Sequence, residues 1–91
     1  MTSSFAQNNI TGKVINMENN NPIIAVNISI METDIGKESD KDGQFNFSNL
    51  ESGPLTIIFS HIGYKTKKIQ LTIPYNEPLI IMLEESFFKM D

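Results

Sequence analysis

LTIIFSHIGYKTKKIQLTI, residues 55–73, decides how the rest of this chain is read. Leu55, Ile57 and Phe59 alternate with Thr56 and Ile58. His61-Ile62-Gly63-Tyr64 interrupts the pattern, and Ile69, Leu71 and Ile73 resume it. A period of two places alternate side chains on one face and predicts two half-buried strands joined by a tight turn. Nothing in the stretch repeats at the 3.6-residue spacing of a helix.

The same period recurs on both sides. Ile10, Gly12 and Val14 share one face, with Thr11 and Lys13 on the other. Asn16–Pro22 is a polar turn whose three successive asparagines tolerate left-handed backbone. Ile24, Val26, Ile28 and Ile30 are expected inward, with Ala25, Asn27 and Ser29 outward. Thr33–Gly36 turns into a short edge segment, Lys37–Ser39. Asp40-Lys41-Asp42-Gly43 reverses the chain into Gln44–Phe47, with Phe45 and Phe47 on one face. Glu51–Pro54 reads as a loop, with Pro54 tolerable as the first residue of the next strand. Pro74–Pro78 is a further turn, Leu79, Ile81 and Leu83 close the series, and Glu84 onward is an exit segment. Seven short strands with frequent turns predict an all-β, two-sheet sandwich, its inward rows packed face to face.

Composition agrees. Fourteen isoleucines and six phenylalanines stand against two alanines, a balance that favours pleated sheet over helix. With 91 residues and no cysteine, the chain has room for one core, unstapled by disulfides or cysteine-bound zinc. Eleven acids against seven bases give a net charge of −4, and every base is lysine. The absence of a basic face and of any arginine fork sets nucleic-acid binding aside. The longest apolar run, Leu79–Leu83, is five residues, against roughly 20 for a membrane helix.

Few residues suggest chemistry. His61 is the single histidine, and Ser60 adjoins it. Neighbours on a strand face opposite ways, so a catalytic pair is not expected, and His61 reads as a structural or solvent-facing residue at a strand end. Asp40-x-Asp42-Gly43 resembles the opening of a calcium loop, with Glu51 at position twelve. Gln44 at position five and glycine at position four instead of six favour a hairpin turn. Tyr64-Lys65-Thr66-Lys67-Lys68 is the one basic cluster and suits a charged guard on an edge strand, or a contact with an acidic partner. Asn9, Asn27 and Asn46 begin N-x-S/T triplets that carry little weight among ten asparagines. No catalytic, cofactor-binding or metal-ligating residue is assigned, and no cofactor is expected. This sparse inventory argues against an enzyme.

The order of the short motifs says more than any one of them. Ile10-Thr11-Gly12-Lys13-Val14 leads to Asn21-Pro22, then to Val26-Asn27-Ile28-Ser29-Ile30, Ile35-Gly36 and Ser39-Asp40-x-Asp42-Gly43-x-Phe45. Phe59-Ser60-His61-Ile62-Gly63-Tyr64-Lys65 completes the string. It resembles the carboxypeptidase regulatory-like domain, a transthyretin-like (prealbumin-like, immunoglobulin-like) β-sandwich. More narrowly, it resembles the copy at the N-terminus of SusC-type TonB-dependent outer-membrane receptors. Ile24-Ala25 stands where that family usually has Pro-Gly, Lys37-Glu38 where it has small threonines, and His61 where it often has tyrosine. Those changes are expected to suit a strand equally well.

The resemblance implies a non-catalytic periplasmic accessory domain of a nutrient receptor in a Gram-negative bacterium. Its partners would be the plug and barrel of the same chain and the TonB energy-coupling system. Residues 1–8 then read as a leader remnant or disordered N-terminus, 9–85 as the sandwich, and 86–91 as an exit linker toward a downstream region. The alternative is a carbohydrate- or protein-binding module of a secreted or surface protein. Tyr75, Phe87 and Phe88 would be its exposed aromatics.

Overall fold

A computed structural model describes residues 8–86. Seven strands follow in order: β1 (Ile10–Asn16), β2 (Asn27–Ile30), β3 (Gly36–Glu38), β4 (Gln44–Phe47), β5 (Gly53–His61), β6 (Tyr64–Ile73) and β7 (Leu79–Leu83). They form a three-stranded sheet, β4-β1-β7, facing a four-stranded sheet, β3-β2-β5-β6. The expected all-β, seven-stranded, two-sheet architecture is therefore present.

The decisive stretch folds as read. β5 and β6 are an antiparallel hairpin in which Ile57 stands opposite Ile69 and Leu55 opposite Leu71. Ile57 and Phe59 are fully buried, and Phe59 meets Phe45 of the facing sheet edge-to-face, with centroids 5.6 Å apart. Strand β1 lies at the centre of the smaller sheet, antiparallel to β4 and parallel to β7. Gly12 is required there. A Cβ at this position would lie 2.5 Å from the Phe45 ring and 2.7 Å from the Leu79 carbonyl oxygen. Gly43 closes the Asp40 turn at φ 75°, a left-handed conformation that glycine adopts freely.

Four details differ from the expected pattern. Ile24 is exposed, and Ile23 takes the inward place. The cause is Ala25, whose φ of 65° breaks the alternation, so β2 starts only at Asn27. Ile24-Ala25 therefore does not suit a strand, contrary to expectation. Ser39, expected within the short edge segment, falls just past β3 and is buried. Its Oγ donates to the Ile23 carbonyl at 2.7 Å and accepts the Val26 N–H at 2.9 Å. That one hydroxyl satisfies both sides of the irregular segment.

Strand β5 begins at Gly53, so Pro54 is its second residue. Pairing with β2 reaches only Ile57, which leaves Pro54 clear of that ladder. At the N-terminal side, Asn8 is tied to the loop before β5. It donates to the Leu50 carbonyl at 2.7 Å and accepts the Leu50 N–H at 3.0 Å through its own carbonyl. The rest of the leader stretch lies outside the described residues, as do Phe87 and Phe88.

Candidate functional site

The residues singled out for chemistry lie apart from one another. His61 ends β5 at a register shift that begins at Phe59. Its Nδ1 accepts the Gly63 N–H at 3.1 Å, and its ring packs edge-on against Tyr64 at 5.3 Å. The imidazole shapes the two-residue turn, and the nitrogen spent on Gly63 is not free to act on Ser60.

The Asp40 carboxylate is the hub of its own turn. Oδ1 accepts the N–H groups of Asp42 and Gln44, each at 2.9 Å, while the Asp40 carbonyl accepts the Gly43 N–H at 2.8 Å. The bond from Gln44, then that from Asp42, hold its pKa below the ordinary aspartate value, and the Lys41 charge adds to them. These are the contacts of a hairpin turn. Among the described residues, no group of three or more His, Cys, Asp or Glu side chains is placed to hold a metal ion.

The basic cluster starts β6, at the outer edge of the four-stranded sheet. Lys65 Nζ pairs with Glu84 at 3.3 Å, and Lys67 Nζ donates to the Met82 carbonyl at 3.2 Å. On the opposite seam, Lys37 Nζ donates to the Asn46 carbonyl and lies over the Phe47 ring. Lysines thus close both seams between the sheets by engaging main-chain oxygens of β7 and β4. Each lysine thereby takes a main-chain acceptor on the border strand across the seam, β7 or β4, and so guards that strand against unwanted pairing.

Tyr75, expected exposed, is half-buried and packs against the core. Ile80 and Met82, both outward on β7, are instead among the exposed large apolar residues.

The most elaborate polar arrangement was not legible as a site. Asn16, at the end of β1, has a buried side chain with every hydrogen-bonding position filled. Its Oδ1 accepts the N–H groups of Glu18 and Asn19. Its Nδ2 donates to the Tyr64 hydroxyl at 3.0 Å and to Glu85 Oε2 at 2.9 Å. Beside it the chain leaves β7 and crosses to the other sheet. Lys65 N–H donates to the Glu84 carbonyl, and Ser86 N–H to the Gly63 carbonyl. Asn16 reads in sequence as one more turn asparagine. Its one legible signal is that it falls on the inward parity of β1, with Val14.

Residues 10–91 match the sequence pattern of the CarboxypepD_reg-like domain. The chain belongs to that family. No curated protein gives a significant match. Among solved structures, one described as the structure of the streptococcal ancillary pilin is similar, with a TM-score of 0.74 and 16% identity. The alignment covers 88% of this chain and 30% of that one, so this domain spans under a third of the pilin chain. At that identity the likeness is one of fold. A CarboxypepD_reg-like domain built as a two-sheet sandwich accounts for the ordered motifs, with Gly12 and Gly43 at the places where the backbone requires glycine.

Proposed function

We propose that this CarboxypepD_reg-like domain is a non-catalytic accessory module of a TonB-dependent outer-membrane nutrient receptor. It sits on the periplasmic side of the membrane of a Gram-negative bacterium. It works by contact and positioning, against the plug and barrel of its own chain and the TonB energy-coupling system. The observation that carries this reading is the family match together with the ordered SusC-like motifs from Ile10 to Lys65. The side-chain chemistry supports a binding or positioning role. His61 is engaged by its own turn, Asp40 by its own hairpin, and the Asn16 cluster is satisfied internally.

The deciding experiment is to read the coding region downstream of Asp91 and fractionate cells that express its full product. A plug followed by many amphipathic β segments, with the product in the outer membrane, is the expected result. A gene that stops within a few codons of Asp91 overturns the reading.

A second reading, a binding module of a surface protein, is favoured by the likeness in fold to a pilin. It ranks lower because Tyr75 packs against the core. Specific glycan-array binding that is lost in Tyr75→Ala would promote it.

A further inference from the structure

Four strands border the two sheets, and they are not equally open. β3 has only three residues. On β4, the Asn46 carbonyl is taken by Lys37, and on β7 the Met82 carbonyl is taken by Lys67. The remaining border, β6, is ten residues long; among the described residues, β5 is the one strand paired with it, and its first residues alone carry a short bridge, Tyr64 to Glu85, on the outer side. Its Lys65 N–H points outward, to Glu84. By strand alternation, the N–H and C=O groups of Lys67, Ile69 and Leu71 point the same way. No strand among the described residues receives them.

The chain itself shows what fits this edge. Glu84–Ser86 run antiparallel to Gly63–Lys65, with backbone bonds of 2.9 and 3.0 Å and an acid–lysine pair beside them. Further along β6, Lys67 and Lys68 offer two more cations, on a chain whose net charge is −4. Ile69 and Leu71 are only half-buried, at the rim of the core.

We propose that the edge of β6 from Lys67 to Leu71 docks an extended acidic segment of a partner polypeptide. This segment adds to the four-stranded sheet as a further strand. Main-chain bonds to Lys67, Ile69 and Leu71 hold it, and its alternate apolar side chains cover Ile69 and Leu71. Its acidic residues alternate with these, so they lie on the other face of the sheet, where they meet the exposed Lys68. The proposal is independent of the receptor reading, because it concerns only what the edge accepts.

The test uses the whole 91-residue chain and a synthetic peptide of alternating glutamate and valine, about ten residues long. Two control peptides accompany it: one methylated on alternate backbone nitrogens, and one with lysine for glutamate. Amide exchange and chemical shifts are followed by NMR. The expected result is that Lys67, Ile69 and Leu71 amides slow by about tenfold on binding. Affinity falls by about tenfold between roughly 50 and 300 mM salt. The methylated peptide does not bind. Lys68→Glu, an exposed change whose intact fold is checked by unchanged Ile57 and Phe59 signals, weakens the glutamate peptide and favours the lysine one. Each of four results overturns the proposal: no binding at low salt, equal binding of the methylated peptide, shifts confined to the Ile80–Met82 face, or self-pairing of two chains through β6 detected by sedimentation.

Discussion

Asn16 and Tyr64, forty-eight residues apart, meet across the two sheets, the Asn16 Nδ2 donating to the Tyr64 hydroxyl at 3.0 Å. The bond joins the end of β1 to the start of β6, and the other Nδ2 hydrogen holds Glu85 of the exit segment. Because the amide is buried, its loss is costly. Asn16→Leu leaves the N–H groups of Glu18 and Asn19 and the Tyr64 hydroxyl without their partner. The expected destabilisation in urea unfolding is about 2–4 kcal/mol. Tyr64→Phe removes a single bond and costs about 1 kcal/mol. In a double-mutant cycle the two effects are expected to be non-additive, since they share one contact.

The segment before β2 separates two isoleucines that look alike in sequence. Ile23 is 6% exposed and Ile24 is 56% exposed. Ile23→Ala is expected to lower stability by about 2–4 kcal/mol, whereas Ile24→Ser stays within about 0.5 kcal/mol. Ala25→Gly, at φ 65°, relieves a left-handed alanine and is expected to raise stability by about 0.5–1 kcal/mol. Thermal unfolding of the three variants checks the set. An Ile24→Ser as destabilising as Ile23→Ala, or a destabilising Ala25→Gly, would contradict the backbone described.

Gly12→Ala tests the close approach of β1 to its neighbours. The new methyl would meet the Leu79 carbonyl, which is main chain and cannot swing aside, as well as the Phe45 ring. A loss of about 2–3 kcal/mol is expected from the strain of overpacking. It is read as a lower urea midpoint with an unchanged slope.

Asp40 gives the chain a predictable response to acid. Its pKa is lowered in the folded state, first by the Gln44 N–H and then by that of Asp42. A group with a depressed folded pKa stabilises the fold above its ordinary value, about 3.9 for aspartate, and that contribution disappears as pH falls through the lowered value. Wild type is therefore expected to exceed Asp40→Ala in stability at neutral pH, with the gap narrowing as pH drops below about 4. Denaturation series at several pH values measure it, and a gap that widens in acid would refute the assignment.

Much of this domain is legible from its sequence. The two-residue period in Leu55–Ile73 marks the β5–β6 hairpin because a strand must alternate to bury one face. Asp40-x-Asp42-Gly43 marks its turn because aspartate and glycine have the local chemistry to close one. Each signal resides in a few consecutive residues, so no distant partner is needed to read it. Composition adds the class, since a chain this rich in isoleucine and poor in alanine has little else to build than sheet.

Tertiary structure decided what depends on residues far apart in the chain. The parallel pairing of β1 with β7, first strand with last, cannot be read from either strand alone. Ser39 becomes a buried clamp only because Ile23 and Val26 arrive beside it. Asn16 turns from a loop asparagine into the link between two sheets only when Tyr64 and Glu85 close around it. The open edge of β6 is likewise a fact of sheet order, because a strand is an edge only by what does not lie next to it. Local chemistry wrote the strands and turns; burial and long-range hydrogen bonding chose which polar side chains became structural and which backbone remained available.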